Sequence, residues 1–542
     1  MKNYEQYGLK PYGAVPNARQ MAHWEMEKKA FIHFGMNTFT NVEWGNGLED
    51  PKSFAPTTLD ARQWVRSLKE CGFGLIILTA KHHDGFCLWP SAVTEHCVKN
   101  SGYSGDVVKE FTDACREYGV KAGIYLSPWD RNSPYWGQDA YNDYYIAQLT
   151  ELLGGHYGPI YEVWWDGAGS TETQYDWKRW AETVRTLQPE ASIFGSLGAS
   201  EYVDFRWVGN ERGVAGETHY ASIDLTHLQV ENTAGLNRGN QGGEWYIPSE
   251  TDVSIRPGWF YRSEQDGQVK CAARLNKLWF ESVGRNSLLL LNFPPDTRGL
   301  LHEKDLKNAL DSHRCIQKMR SVDYVASVTA ERTLPNGAWV GNTLEITLKE
   351  ESLCNVLLLG EVLELGERVS AFTVESEGEV LFQGTSVGHC RACLLPERKY
   401  RSFKVTFTAP VVPVIGEVKV HRFEDLPDDP PTSTVGLNLA ELSAAKTTFT
   451  PDLREAVVNF GGVYPFNMLR FVLEEGGSYE VFAFNGTEYE SITTGSCDQK
   501  TRFKVVTDRL IEGSYQVKVV STAPLSEIDA VQVKWKPEED KK

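Results

Sequence analysis

The 542-residue sequence predicts an α/β fold, namely a (β/α)8 barrel of the TIM type followed by C-terminal β-sandwich domains. Over about the first 300 residues, short apolar runs alternate with longer amphipathic segments, which is typical of parallel strands joined by helices. Beyond residue 322 the pattern changes to short alternating strands. Fourteen of the sixteen tryptophans precede residue 280, so the two parts also differ in composition.

The barrel segment contains eight candidate strands, the number that this fold requires. No Gly-rich nucleotide loop follows the first strand, which disfavours a doubly wound sheet. Two of the intervening helices have clear signals: one begins after Thr58, and another begins near Ser104 and ends at Gly119. The candidate strands are Ala30–Met36, Gly74–Ala80, Lys121–Ser127, Tyr161–Asp166, Ser192–Ser196, Phe205–Gly209, Glu244–Pro248 and Ser287–Asn292.

These patterns divide the chain into four parts. We place the barrel at residues 1–305, a helical linker at 306–321, a first β-sandwich at 322–423 and a second β-rich sandwich at 434–537. Between the two sandwiches, Glu424–Ser433 contains an Asp-Asp-Pro-Pro run that is typical of a linker. The sequence leaves the oligomeric state open.

Charge and hydropathy limit the partners. The formal net charge of −18 argues against a nucleic-acid partner, because binding phosphates requires a positive surface. The N-terminal residues are polar and no run of about 18 apolar residues occurs, so no membrane association is expected. We expect a cytoplasmic, bacterial protein, or a secreted one if a signal peptide has been removed from this sequence.

The ten cysteines are scattered along the chain, which fits a reducing compartment. Cys390 and Cys393 form a C-x-x-C motif, for which a redox or zinc-binding role is one interpretation. A second motif of this kind is missing from the sequence, and the flanking residues indicate a strand. We therefore expect neither a metal nor an organic cofactor.

Polar and aromatic side chains follow most of the candidate strands, and in this fold the C-terminal strand ends carry the chemistry. Indoles pack on the C–H faces of a pyranose, and imidazoles and carboxylates bind its hydroxyls, so a carbohydrate substrate is predicted. The residues at these ends are His33, Glu43, Trp44, Lys81–Phe86, Tyr125, Trp129, Asp130, Trp164, Asp166, Arg206–Glu211, Glu250–Asp252 and Trp259.

Two carboxylates on different strands can cleave a glycosidic bond between them. In a retaining glycoside hydrolase one attacks the anomeric carbon and the other protonates the leaving oxygen, and they lie about 5–5.5 Å apart. Asp166, at the end of the fourth candidate strand, suits the nucleophile. Glu211 suits the acid/base, with Glu217 as the alternative. The competing interpretations are a helix cap for Asp166 and a surface ion pair for Glu211.

The His82-His83-Asp84 run also allows two interpretations. His and Asp are common metal ligands, but neighbouring side chains on a strand point to opposite faces, which disfavours chelation of one ion. We therefore favour contact with the sugar. For Trp44 and Trp259, packing in the core is the competing interpretation.

Five short blocks between about residues 20 and 305 occur in an order shared with one enzyme family. They are Phe31–Gly35, Lys81–Phe86, Asp106–Glu110, Trp164–Gly167 and Asn292–Pro295. Together they resemble α-L-fucosidases of glycoside hydrolase family 29. Two further stretches, Trp207–Glu211 and Asp252–Phe260, resemble the subfamily that acts on α-1,3/1,4-fucosylated branches.

The resemblance implies an exo-acting, retaining α-L-fucosidase. Such an enzyme releases L-fucose from fucosylated glycans, here from α-1,3/1,4-linked branches of the Lewis type, through a fucosyl-enzyme ester and without a cofactor. By position the family's nucleophile falls on Asp166 and its acid/base on Glu211. Its fucose contacts fall on His33, His82, His83, Tyr125 and Trp164, with Glu43, Trp44 and Trp259 as further contacts.

Alternatives remain at both ends of the chain. Another retaining barrel glycosidase, such as a galactosidase, would keep the carboxylate pair, and a non-catalytic fucose-binding lectin would keep a degenerate barrel. The C-terminal sandwiches are either galactose-binding-like modules that bind carbohydrate or supports for the barrel. Their scarcity of indoles favours support, because sugar platforms need aromatic side chains.

Overall fold

The computed structural model describes residues 4–169, 175–195, 199, 201–228, 233–425, 436–442, 445–473, 476–484, 488–497 and 501–531. The chain folds as a (β/α)8 barrel followed by C-terminal β-sandwich domains, which confirms the predicted fold class. It divides into two compact units, and the first contains both the barrel and the first sandwich. The second unit consists of Asp428–Lys542 together with Arg256–Gly258 and Ser263–Val269.

The barrel is a closed ring of eight parallel strands with the order β1-β10-β9-β6-β5-β4-β3-β2. Large apolar side chains fill its interior, among them Phe31, Ile77 and Phe205. Two short strands, β7 and β8, form an antiparallel pair outside the ring. The strands are β1 (Lys28–Ile32), β2 (Leu75–Lys81), β3 (Lys121–Leu126), β4 (Glu162–Trp165), β5 (Ser192–Gly195), β6 (Phe205–Trp207), β7 (Ser222–Ile223), β8 (Trp245–Tyr246), β9 (Ser249–Ser254) and β10 (Leu288–Asn292).

Side-chain caps define several of the barrel helices. The α3 helix begins after Asp60, whose carboxylate accepts a hydrogen bond from the Gln63 amide, and not after Thr58 as predicted. Gly119 ends α4 in a left-handed conformation (φ 65°), as predicted. The helices are α1 (Ala18–Trp24), α2 (Met36–Thr40), α3 (Ala61–Glu70), α4 (Val107–Tyr118), α5 (Ala140–Leu153), α6 (Trp177–Leu187), α7 (Thr233–Arg238), α8 (Ala272–Glu281) and α9 (Glu303–Arg320).

The seventh barrel strand is β9, and the prediction of Glu244–Pro248 for it was wrong. That segment forms β8, which pairs with β7 outside the barrel. The sequence of β9, Ser-Glu-Thr-Asp-Val-Ser, has little apolar character, yet all six residues are buried. A search for apolar runs therefore passes over it in favour of its neighbour.

Helix α9 belongs to the barrel and is not the linker that we predicted at 306–321. It follows the last barrel strand and packs against α8 and α3. Its buried side chains, including Ala309, Ile316 and Met319, form the apolar stripe of a helix that covers the barrel. Near its end, Arg320 Nη2 lies 2.6 Å from Glu27 Oε1.

The first sandwich follows α9 and is antiparallel, with the order β12-β13-β18-β14-β17-β15-β16 and with β11 paired to β14. Its own buried cluster includes Leu344, Phe372 and Phe403. The strands are β11 (Val325–Thr329), β12 (Arg332–Thr333), β13 (Trp339–Val340), β14 (Thr343–Glu361), β15 (Ala371–Ser376), β16 (Glu379–Gly384), β17 (Arg391–Thr408) and β18 (Val414–His421).

The second sandwich has the strand order β19-β20-β23-β21-β22, with β24 paired to β20, around a core that includes Phe466 and Val481. Most of the predicted linker and both ends of the predicted range 434–537 lie outside the described residues. Within the described chain, no helix is both long and apolar enough to cross a membrane. The strands are β19 (Lys446–Phe449), β20 (Glu455–Leu473), β21 (Gly477–Phe484), β22 (Tyr489–Cys497), β23 (Thr501–Ser521) and β24 (Leu525–Val531).

Candidate active site

The C-terminal ends of the barrel strands surround a cavity of about 280 Å³. Ten of the eleven predicted site residues line it, because each lies at or just beyond a strand end or in the loop that follows. The lining also includes residues that the sequence did not single out for a role. The predicted residues in the wall are His33, Glu43, Trp44, His82, His83, Tyr125, Trp164, Asp166, Glu211 and Trp259, and the additional ones are Phe31, Gly167, Ala168, Phe194, Trp207 and Asp252.

The Asp166 carboxylate, which follows β4, is held by one hydrogen-bond donor on each oxygen. Tyr125 Oη donates to Oδ2 at 3.0 Å, and the Ala168 amide donates to Oδ1 at 2.9 Å. His83 Nε2 lies 3.8 Å from Oδ2. Burial, and then the Asp166 charge, raise the pKa of Tyr125 well above its usual value, so its hydroxyl keeps the proton that it donates. With 30% of its side chain exposed, Asp166 remains accessible from the cavity.

His82 and His83 both face the cavity, with ring centroids 4.0 Å apart. The expectation that they point to opposite faces was wrong, because β2 ends at Lys81 and strand alternation does not continue past it. His83 Nδ1 lies 2.8 Å from Ser127 Oγ, and His33 Nδ1 lies 2.9 Å from Asn292 Oδ1.

The three cavity imidazoles are neutral near pH 7. Burial lowers the pKa of His33 to about 3 and that of His83 to about 4, and it lowers the pKa of His82 well below its usual value. A neutral imidazole carries one donor and one acceptor nitrogen. Three such rings can therefore both donate to and accept from the hydroxyls of a sugar.

Trp164 forms the floor of the cavity. Its ring stacks on Phe194 at 4.0 Å with an interplanar angle of 3°, and on Tyr125 at 5.4 Å. Its Nε1 donates to Glu250 Oε2 at 3.3 Å, which ties the indole to a carboxylate in the barrel interior. The indole is therefore held both by stacking and by a hydrogen bond.

Beneath this floor, His23, Glu162 and Glu250 bring potential ligand atoms within 4.8 Å of one another. The ammonium group of Lys29 already binds both carboxylates, at 2.8 Å to Glu162 Oε2 and in direct contact with Glu250 Oε1. Burial, and then the charge of Glu250, raise the pKa of Glu162 well above its usual value. The ammonium of Lys29, together with the raised pKa of Glu162, therefore compensates the negative charge of the two carboxyl groups. A metal ion at this position would have to displace the ammonium.

Glu43 fixes the loop that carries Trp259. Its Oε1 accepts from the Trp259 amide at 2.5 Å, and its Oε2 accepts from Arg262 Nη2 at 3.0 Å. Trp259 packs beside His33, with ring centroids 4.9 Å apart. Trp44, next to Glu43, is 57% exposed at the mouth of the cavity, where its ring lies 5.6 Å from that of Trp129.

Two further carboxyl groups enter the cavity on the side of β6 and β9. Glu211 is exposed, whereas Asp252 is only 5% exposed and accepts a hydrogen bond from Trp207 Nε1 at 2.9 Å. Burial, followed by the charges of Glu211 and Asp166, raises the pKa of Asp252 well above its usual value. This shift favours the protonated form of Asp252 over its carboxylate.

Glu217, the alternative acid/base, is not among the described residues that line this cavity. Its carboxylate pairs with Arg391 Nη2 at 2.6 Å and contacts Arg285 Nη2. Glu217 instead lines a second cavity, between the barrel and the first sandwich. Because Glu217 lies outside the active-site cavity and its carboxylate is engaged by two guanidinium groups, the prediction of Glu217 as the alternative acid/base is corrected.

The sequence signals for the missed residues were weak in different ways. Asp252 lies inside β9, the strand that was placed wrongly, and Phe31 and Phe194 look like ordinary core residues.

Cys390 and Cys393 are free thiols in the first sandwich. Burial raises the pKa of Cys390, and raises that of Cys393 to about 12, which makes both thiols unreactive.

Comparisons with known proteins identify the family of this chain. The family model described as alpha-L-fucosidase matches residues 11–312, more than half of the chain. Alpha-L-fucosidase 1 of Arabidopsis thaliana is 38% identical over 430 residues, which cover 71% of this chain and 83% of the relative. The crystal structure of a glycoside hydrolase 29 family member from an unknown rumen bacterium is 31% identical, with a TM-score of 0.74 over 97% of this chain and 100% of that one.

A GH29 fucosidase of Ruminococcus gnavus, solved in complex with fucose, is 29% identical, with a TM-score of 0.70 over 77% of this chain and 96% of that one. Together with the family match, these similarities agree with the barrel and the sandwich domains of this chain. The chain therefore belongs to the alpha-L-fucosidase family of glycoside hydrolases, GH29.

Proposed function

We propose that this enzyme releases L-fucose with retention of configuration, by double displacement through Asp166 and Glu211. The observation that carries the proposal is the Asp166 carboxylate. It is oriented by two donors and accessible in a cavity whose lining includes three neutral imidazoles and several indoles. A carboxylate placed in this way suits nucleophilic attack better than capping of a helix.

In the first step, an oxygen of Asp166 forms a bond to the anomeric carbon while the bond to the leaving oxygen breaks. The leaving oxygen takes the proton of Glu211. In the second step, a water molecule gives a proton to Glu211 and its oxygen attacks the same carbon. The ester bond to Asp166 then breaks, and fucose departs with its original anomeric configuration.

Exposure favours Glu211 over Asp252 as the proton donor. Fucose fills the deep part of such a cavity, so the leaving oxygen lies towards the mouth, where Glu211 is exposed and Asp252 is buried. Asp252 remains the second candidate because burial raises its pKa and so favours the protonated form. In either case the donor approaches from the side of β6 and β9, away from the Tyr125 hydroxyl that binds Asp166.

We further propose that the substrates are α-1,3/1,4-fucosylated branches. Trp44 and Trp129 form an aromatic rim beside the cavity, and the Arg131 guanidinium lies over the Trp129 ring at 5.2 Å. Indole faces at this position suit the sugar units that carry the fucose. An apolar wall that includes Phe31 suits the methyl group of fucose, whereas a galactosidase needs hydrogen-bonding groups for a C6 hydroxyl.

NMR spectroscopy of the first sugar released from 4-nitrophenyl α-L-fucoside tests the mechanism. The α-anomer of fucose should appear before mutarotation begins, and first appearance of the β-anomer would contradict retention.

A panel of free oligosaccharides tests the linkage, since Lewis-type α-1,3/1,4 branches should be cleaved faster than α-1,2-linked fucose. Faster cleavage of nitrophenyl galactosides than of the fucoside would favour the galactosidase alternative.

A further inference from the structure

The segment that follows Glu211 in sequence is anchored at residues 215–222. Its first anchor is on the barrel, where the Ala215 amide donates to the Glu281 carbonyl at 2.8 Å and Arg285 Nη1 donates to the Ala215 carbonyl at 2.9 Å. The next residue, Gly216, is held by Asn237 of the barrel. Each residue after it, up to Ser222, makes a hydrogen bond or an ion pair with the first sandwich. The sandwich therefore takes part in fixing this loop.

Arg391, the first residue of β17, clamps Glu217 at two points. Its Nη1 donates to the Glu217 carbonyl at 2.8 Å, and its Nη2 donates to the Glu217 carboxylate at 2.6 Å. Only 3% of the Arg391 side chain is exposed, against 66% for Glu217. The sandwich thus provides the buried guanidinium donor, and the loop provides the carbonyl and carboxylate acceptors.

Glu367, between β14 and β15, provides the next anchor. Its carboxylate accepts from the Ala221 amide at 2.9 Å and from the Ser222 amide at 2.8 Å. Asn286 Nδ2 donates to the same carboxylate at 2.5 Å. A buried carboxylate requires such donors, so the position of the loop backbone is fixed by the sandwich.

Three further hydrogen bonds join the loop to the sandwich between the Glu217 and Glu367 anchors. They are Thr218 Oγ1 to Thr385 Oγ1 at 2.6 Å, the His219 amide to Ser386 Oγ at 3.0 Å, and Tyr220 Oη to the Thr385 carbonyl at 2.9 Å.

Glu211 therefore lies on a short turn between two fixed points. On one side β6 ends at Trp207, and on the other the anchors begin at Ala215. Within the turn, Asn210 Oδ1 accepts from the Arg212 amide at 3.1 Å and Asn210 Nδ2 donates to the Val214 carbonyl at 3.0 Å. The turn is thus internally braced, and its anchored end is coupled to the clamp through Arg285, which binds both the Ala215 carbonyl and the Glu217 carboxylate.

We propose that the first β-sandwich positions the proton donor, with Arg391 acting through Glu217 as the positioning residue. This inference rests on the proposed function, in which Glu211 protonates the leaving oxygen. Displacement of a catalytic group by about 1 Å can cost on the order of 100-fold in rate. Release of the clamp should therefore weaken protonation of the leaving group and leave attack by Asp166 intact.

A series of aryl α-L-fucosides with the same sugar and different leaving groups separates these two effects. For Arg391→Ala we expect kcat/KM to fall about tenfold or more on phenyl fucoside, a part of the roughly 10²–10⁴-fold that general acid catalysis contributes. On 2,4-dinitrophenyl fucoside, whose leaving group needs no proton, the loss should be less than about twofold. Glu217→Gln changes an exposed side chain, so it keeps the test valid if Arg391→Ala folds poorly.

Arg398→Ala is the matched control, because Arg398 lies on the same strand and pairs with Glu379 at the sandwich surface. It should leave the whole series unchanged, and Arg391→Lys should restore part of the lost activity. Equal losses of the Arg391 and Glu217 variants across the series, or no loss at all, would overturn the inference.

Glu211→Gln, measured in parallel, separates the two proposals. If it shows the leaving-group dependence and the clamp variants do not, only the inference on the sandwich fails. If Glu211→Gln shows no such dependence, the donor assignment fails, and the inference fails with it.

Discussion

The two sides of the active-site cavity are held in different ways. His82, His83, Tyr125 and Trp164, here called the strand-borne side, lie at or just beyond the ends of β2, β3 and β4 and are buried. They surround Asp166. On the opposite side, called the loop-borne side, Glu43, Trp44, Glu211 and Trp259 belong to loops and are partly or fully exposed.

This difference matches the two halves of a glycoside. The strand-borne side provides rigid, neutral hydrogen-bonding groups and a carboxylate, which suit the sugar ring that is the same in every substrate. In the proposed mechanism the loop-borne side meets the leaving group, which varies between glycans and departs into solvent. Loops on a rigid scaffold are where such variable recognition is found.

Asp166→Asn removes the proposed nucleophile on the strand-borne side and should have the largest effect. We expect kcat/KM to fall by about 10⁴-fold or more on every fucoside, because no other group forms the ester. The control is Asp143→Asn on the exposed face of α5, which should keep full activity. Comparable residual activity of the two variants would place the nucleophile elsewhere.

Glu211→Gln acts on the loop-borne side, and its effect should depend on the leaving group. The loss should reach about 10²–10³-fold on fucosylated oligosaccharides and be small on dinitrophenyl fucoside. Added azide should then produce fucosyl azide, because the ester still forms from the activated donor and azide, unlike water, needs no general base to attack it. Asp252→Asn is the comparison, since Asp252 is the second candidate for the proton donor, and a larger dependence on the leaving group in that variant would make Asp252 the donor.

His83→Gln tests the neutral imidazoles of the strand-borne side through stability. Burial lowers the pKa of His83 to about 4, so between about pH 6.5 and pH 4 the unfolded chain binds a proton that the folded one does not. This residue therefore stabilises the native state less as the pH falls. Between pH 7 and pH 5 the free energy of unfolding should fall about 2 kcal/mol less in the variant than in the wild type. Parallel pH profiles from urea unfolding would contradict this.

Trp44→Ala should have the smallest effect and should be confined to extended substrates. Trp44 is 57% exposed at the rim, so simple aryl fucosides should react as before. On Lewis-type oligosaccharides we expect KM to rise by up to about tenfold, because one stacking surface for the neighbouring sugar is lost. An equal effect on aryl fucosides would place this indole against the fucose itself.

The strand-borne side could be predicted from sequence because its information is local. Apolar runs define β2, β3 and β4, and the functional side chains follow directly after them. The loop-borne side depends on partners that are distant along the chain. Glu250 makes β9 look polar, and its burial is explained by distant partners, namely Lys29, 221 residues away, and the Trp164 indole.

Glu217 shows the same limit for function. In sequence it is an acid close to Glu211, and nothing near it distinguishes it from a proton donor. Its partner Arg391 lies 174 residues away in another domain, and only the fold brings the two together. The pair of histidines failed for a local reason, since the end of β2 after Lys81 turns both rings to one side.

Trapping of the covalent intermediate tests most directly whether Asp166 is the nucleophile. The enzyme would be incubated with a 2-deoxy-2-fluoro-α-L-fucosyl donor that has a good leaving group, digested with a protease and analysed by mass spectrometry. We expect one fucosyl ester, on Asp166, in a peptide that contains Trp164-Trp165-Asp166-Gly167. A label on Glu211, Asp252 or any other carboxylate would contradict it.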